Sequence, residues 1–542
     1  MTPHLSVSSG RSKSVAFGAG LFLAAASLPA AVVTHTLTSG TNGSWDTSGN
    51  WTNGVPDAVG DIATYGTTST SATVTLDKTG GGAITIGKLT KTASGSFNVN
   101  AGTASGLVFD NTGGTGNAAI QNASGSGTLA VGANISFTNS NLDVISAGGP
   151  VSISGAIAAG ADRTLTFSRS TSGASITVSG SIGASGAGMI SIVNSGGLGG
   201  TTGTVPVTTL SGNLGAKVSG ITQDSGASGN RSTLTLSGNN SAFVGDVSII
   251  NGTVSAASST ALSASNKVSF GGGTFNYSAD VTVKGLDGGS GNVFSTGSGL
   301  RTLTLGGSGN NTYGGTIATS AQTANQLSRT ALQVALTGSG SQILTGDSLY
   351  GGGTTVTSGT LLVNNTTGSG LGTGAVAVNG GTLGGTGFIA GATTITGGNL
   401  AAGTDGTVGT LTFNSTLGIA GLAGVGQLKF DLDATTASDK VLLSTGALSI
   451  GSGTLNFDDF SFNALAGFGN GVYTLFDSST SIVGTLGTLL TGTINGHDAI
   501  LSTDGQDIFL TVSGGASVPE PSSYALVFGA LALLGTATKR RR

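Results

Sequence analysis

Histidine occurs three times in this chain, at His4, His35 and His497, and glutamate once, at Glu520. Proton transfer, nucleophile activation and metal ligation therefore fall almost wholly to aspartate. A Ser-His-Asp relay would have to be built on His497, which adjoins Asp498 in the turn-like stretch TINGHDA. Two-carboxylate glycoside hydrolysis would need an aspartate pair. Asp431 and Asp433 in KFDLDAT share a face if that stretch is a strand; Asp458 and Asp459 adjoin in NFDDFSF. The competing reading is a set of solvent-facing strand aspartates or edge-guarding charges. No cysteine and no paired-histidine spacing is present for a zinc-type donor set. GGSGNNTYGG from Gly306 approaches the calcium-binding GGxGxD nonapeptide, but Asn311 stands at the liganding position and no tandem array follows. Trp45 and Trp51, the two tryptophans, form either a platform for stacking sugar rings or an aromatic cap over the open end of a repeat stack; the cap is the expected role. The expectation is a chain without catalytic residues, metal ligands or cofactor.

The elements that would position these residues follow from composition. Of 542 residues 99 are glycine, 7 are proline, 37% are hydrophobic and only 8% are charged. Collagen is excluded because glycine does not recur strictly every third position and proline is scarce. Disordered chains combine low hydrophobicity with high net charge, whereas mean hydropathy here is +0.27 and formal net charge −4. Valine, isoleucine, leucine and threonine favour pleated, half-buried surfaces. Of the 19 basic residues two lie near the N-terminus and four at the extreme C-terminus, leaving 13; of the 23 acidic residues all but Glu520 are aspartate, leaving 22. That negative middle argues against nucleic-acid binding.

The two ends carry addresses. Arg11 and Lys13 precede an apolar run from Val15 to Leu28 and small residues at Ala30 and Ala31, the layout of a secretory signal peptide cleaved near those alanines. At the other end, residues 524–538 are apolar or small. As a helix they would span roughly 22 Å, short of the roughly 30 Å hydrocarbon core, with Lys539, Arg540, Arg541 and Arg542 snorkelling and stopping on the cytoplasmic side. Pro519, Glu520 and Pro521 stand before this run in an extended, helix-averse stretch. The order of these three features resembles a PEP-CTERM sorting signal. The resemblance covers the last 26 residues or so. It implies recognition by a membrane-embedded exosortase after export by the Sec machinery, with transient inner-membrane insertion and cleavage near the Pro-Glu-Pro motif.

Internal repetition organises the middle. STLTLSGNNSAFVGDVSIINGTVSA from Ser232 aligns with SQILTGDSLYGGGTTVTSGTLLV from Ser341, placing Phe243 on Tyr350 and Gly252-Thr253-Val254 on Gly359-Thr360-Leu361. KVSFGGGTFNY from Lys267 matches AVAVNGGTLGG from Ala375, and a partial copy starts at Thr302. Within copies a Gly-Thr-aliphatic element returns after about 20 residues, the period of solenoid coils. These units resemble the autotransporter-associated β-strand repeat; SWDTSGNWTNGVPDAVGDIATYG near the start and SDKVLLSTGALSIGSGTLNF from Ser438 are similar to the flanks of such passengers. No terminal outer-membrane barrel is legible, and the sorting tail stands in its place. The fold expected is all-β, a right-handed parallel β-helix, with a signal peptide at 1–31, a Gly/Ser/Thr-rich β region at 32–230, repeats at 231–400, a β-rich end at 401–514 and the sorting signal with its transmembrane helix at 517–542. The function expected is a non-catalytic structural protein of the surface or extracellular matrix of a Gram-negative bacterium. A polysaccharide-binding adhesin is the alternative, and a polysaccharide-degrading enzyme a more distant one.

Overall fold

Aliphatic residues alternating with threonine, serine and glycine bury most by turning one face of each strand inward and pairing edge to edge. In the computed structural model this is done by stacking. The structure describes residues 32–515 apart from 39–41, 67–69, 124–125, 170–173, 198–203, 227–230, 320–331 and 423. The expected signal peptide with Ala30 and Ala31, and the sorting tail with Pro519, Glu520, Pro521 and Lys539 to Arg542, lie outside the described residues. Within them the elements are strands and single-turn 3-10 segments, with no α-helix; no helix there is long and apolar enough to cross a membrane.

The strands gather into long parallel sheets. An eleven-stranded sheet runs from Thr34–Thr36 to Gly285–Asp287 and a twelve-stranded sheet from Gly43–Ser44 to Thr316–Thr319. A five-stranded face lies between Ile84–Ile86 and Ile182–Gly186. Later coils form a nine-stranded sheet from Val281–Val283, and two seven-stranded sheets that begin at Asn310–Tyr313 and Phe388–Ile389. The early and late sheets join. A parallel bridge links Gly288 to Tyr313, and the bonds Leu349 N to Ile317 O, Ser348 N to Ser369 O and Gly370 N to Phe388 O carry the second ladder onward. Such a succession is consistent with a β-solenoid.

Register confirms the coil length read from the repeats. Thr233 pairs with Thr253 and Thr253 with Thr274. Upstream coils are longer, as where Lys88 pairs with Ala119, which explains why no clear period shows there. Val207–Leu210 pairs directly with Thr233–Leu236, so one parallel ladder holds strands from both sides of the boundary expected near residue 230. Phe243 and Tyr350, aligned in the repeat, are both fully buried. Their units nevertheless sit differently. Thr253–Ala256 belongs to the twelve-stranded sheet, whereas its counterpart Thr360–Val363 belongs to the sheet that continues the eleven-stranded one. The repeat has turned by one face between copies.

Inside, identical positions stack. Val74, Val99, Val131, Ile153, Val178, Leu210 and Leu236 follow one another in register, each buried. Burial yields roughly 25 cal/mol per Å², and in a stack it is shared only between neighbouring coils. Corners need left-handed backbone: Gly252 has φ +83°, and an added Cβ would lie 2.1 Å from Ser225 Oγ.

At each described end of the stack one sheet edge is covered by chain running the other way. At the first coil, Trp51 bridges Leu37 antiparallel, Thr38 N donates to Asn50 O (2.8 Å) and Thr52 N to Thr36 O (2.9 Å). These bonds fill the outer edge of Thr34–Thr36, whose other edge pairs with Ile62–Tyr65. At the far end Gly471–Ser478 pairs in parallel with Lys440–Leu443 but antiparallel with Ile508–Gly515. His497–Thr503 and Thr491–Ile494 extend that sheet, again antiparallel. Phe430, Phe460, Phe462 and Phe476 pack together beneath it, with ring centroids 5.4–6.5 Å apart.

Candidate functional site

A notch of about 390 Å³ opens on the outer face of the sheet that contains Leu428–Leu432, within the range of small-molecule sites. Its floor follows from register. Leu362, Gly384, Ala401, Lys429 and Ser461 succeed one another across five strands. Two small residues in the middle of that row leave a depression walled by Leu362 and Lys429. Asp431 and Asn463 form the adjoining pair, and Thr382, Thr404, Asp405 and Asp439 complete the polar lining.

The aspartates here are not the pair expected from sequence. Asp433 falls beyond the strand, which ends at Leu432, and its Oδ1 accepts the Gly467 N–H. Asp431 meets Asp439 instead, because the chain doubles back through an antiparallel bridge between Ala434 and Ala437. Asp439 Oδ2 accepts Asp431 N–H and Oδ1 accepts Gly409 N–H, both at 2.7 Å. Burial pushes the Asp439 carboxyl up to about 7, against those two N–H groups and with help from the Asp431 charge. Both oxygens being engaged, Asp439 clips two turns to the strand. Asp431, also buried, accepts Asn463 Nδ2 at 2.7 Å through Oδ1. The chemistry on offer is hydrogen bonding to a hydroxyl-bearing ligand by Asn463, Ser461, Thr404 and Lys429 beside Asp431. Asp439 carried no sequence signal of its own; the tight ATTAS stretch separating it from Asp431 and Asp433 was the only hint.

The other candidates are apart from this notch. Asp458 and Asp459 lie in the 3-10 turn Phe457–Asp459, where Asp459 accepts Asn456 N–H at 2.7 Å; burial raises its carboxyl. His497 is a strand residue, not part of the turn, which is Asn495-Gly496; its Nδ1 contacts Asn470 Oδ1 at 2.8 Å. Asn311 is buried in the strand Asn310–Tyr313. His35, which the sequence did not single out, lies buried with Nδ1 2.8 Å from Gly54 O and Nε2 3.2 Å from Asp61 Oδ2. Among the described residues no group of three His, Cys, Asp or Glu side chains is arranged to hold a metal.

Trp45 and Trp51 do meet. Their ring centroids are 4.8 Å apart at 54°, and both rings are buried, at 0% and 4% exposure. Trp51 Nε1 donates to Trp45 O (2.9 Å) and Trp45 Nε1 to Pro56 O (3.0 Å). A sugar ring stacks on an exposed aromatic face, and neither indole offers one. Their surroundings are the antiparallel cover of the first coil.

No family model, no curated protein and no solved structure matches this chain.

Proposed function

We propose that this chain is a non-catalytic structural protein of the bacterial surface or extracellular matrix, built as a right-handed β-helix and delivered by its two ends. The observation that carries the reading is the stack of parallel strands among the described residues from Thr34 to Ser478, with antiparallel partners on the edges of Thr34–Thr36 and Gly471–Ser478. Such a stack presents a long serine-, threonine- and asparagine-rich flank, and the antiparallel partners block strand addition at the two edges they cover. The carboxylates support it too: buried Asp61 and Asp439, and half-buried Asp459, accept backbone N–H groups and hold turns. Right-handedness follows from the general preference of parallel crossovers, about 98% of which are right-handed.

The address rests on sequence. Sec export through the 1–31 leader, recognition of Pro519-Glu520-Pro521 by an exosortase, and a halt at Lys539 to Arg542 would place the protein outside a Gram-negative inner membrane after transient insertion. Fractionation of the producing bacterium, with intact-mass measurement and C-terminal peptide mapping, tests this. The expected product is extracellular or surface-bound and lacks Arg542. Full-length protein in the cytosol would sink the proposal. The notch beside Asp431 favours a second reading, binding of an extracellular polysaccharide through hydroxyl contacts, which glycan-array binding lost in Asp431→Ala would support.

A further inference from the structure

One interior row of the eleven-stranded sheet is polar. Lys91 pairs in register with Asn122, Asn122 with Ser146 and Ser146 with Arg169; in the neighbouring interior row, where Phe167 precedes it, Asn194 pairs with Gln223. All six side chains are at most 1% exposed. Two of them are cations. Lys91 is satisfied by neutral acceptors: its Nζ donates to Ala93 O and Ser126 O at 2.7 Å and to Asn122 Oδ1 at 3.3 Å. Arg169 is not. Its Nη1 donates to Asn194 Oδ1 (3.0 Å), while Nε and Nη2 are buried without an acceptor.

The neighbours cannot supply one. Asn194 Nδ2 donates onward to Gln223 Oε1, and Gln223 Nε2 donates to Ser232 Oγ; Ser146 Oγ is turned to Gly149 O. None of the ion pairs of the described residues includes it, and Asp224, two strands along the sheet, accepts Gly226 N–H. The short segments 124–125, 170–173, 198–203 and 227–230 contain no acidic residue in their sequence. Burial lowers the guanidinium to about 10, which leaves it charged at neutral pH. An uncompensated buried charge is strongly destabilising, and buried donors normally find a partner.

We infer that the solenoid interior holds a small inorganic anion of the chloride class, bound by Arg169 Nε and Nη2. The ion balances the guanidinium and completes the side-chain network that runs from Arg169 through Asn194 and Gln223 to Ser232. It is a structural ion, taken up as the coils close over it.

The test uses the exported protein. Thermal melting is followed in sodium chloride, bromide and gluconate at equal ionic strength, gluconate being too large for the interior. Chloride and bromide raise the melting temperature, by about 1 °C per tenfold increase once the site is filling, and gluconate does not. Arg169→Met loses this anion dependence, whereas Lys91→Met keeps it because carbonyls already satisfy that ammonium. Crystals soaked in bromide show an anomalous peak within hydrogen-bond reach of Nε and Nη2. Water alone at that position, no anomalous peak, or an anion dependence unchanged in Arg169→Met would each overturn the inference. Should Arg169→Met not fold, the bromide peak in the unmodified protein decides.

Discussion

Asp439 shows how much a single side chain's role depends on its surroundings. Its carboxyl, raised by burial to about 7, holds a proton more tightly in the folded chain than in the unfolded one, where aspartate titrates near about 3.9. The stability tied to this group is therefore complete below about pH 4 and is lost as pH rises through 7. Asp46, Asp110 and Asp504, whose hydrogen bonds hold their carboxyls low, act in the opposite sense and only in more acidic solution. Between pH 5 and 8 the melting temperature of the native protein should fall, and Asp439→Asn should flatten that slope. A native profile already flat across this range would refute the assignment. Sequence places Asp431 and Asp433 on one face if the strand runs through both, whereas in the fold Asp433 lies beyond its end. Alternation within a strand tells which residues share a face, but not that the strand stops at Leu432 and the chain returns to place Asp439 there.

At the scale of elements, the first coil must meet solvent on one side, and the Trp45–Trp51 pair with the antiparallel segment 50–52 covers it. Large-to-small changes at buried tryptophans cost about 3–5 kcal/mol each. In a stack whose coils contact only their neighbours, that loss stays local. Replacing both with alanine should speed amide exchange in residues 34–65 while leaving strands beyond Thr233 protected; equal protection throughout would show that the pair is not a cap. The tryptophans and their spacing were visible in the sequence. Their burial was not, because an exposed platform and a buried cap use the same residues and differ only in what folds over them. The polar row from Lys91 to Arg169 was invisible for a different reason: coils of unequal length scatter its members at irregular intervals, and only strand pairing lines them up.

For the whole molecule, the antiparallel strands Ile508–Gly515, His497–Thr503 and Thr491–Ile494 are what ends parallel pairing in the sheet of Gly471–Ser478. A chain ending at Leu486, without residues 487–515, leaves the edge of Gly471–Ser478 open, and open edges recruit other strands. Such a variant should self-associate, seen as a rise in light scattering and elongated particles, while the intact protein at the same concentration remains monodisperse. Two species that scatter alike would mean that the end sheet has no guarding role.

Composition and the 20-residue recurrence determined by themselves that this chain is β-structured and stacked, because apolar alternation and glycine corners are local properties written residue by residue. Position within the stack was decided only by the tertiary structure: which face a repeat occupies, which aspartates meet, and which cations are sealed inside. Those depend on the accumulated length of every preceding coil, and no single stretch of sequence contains that sum.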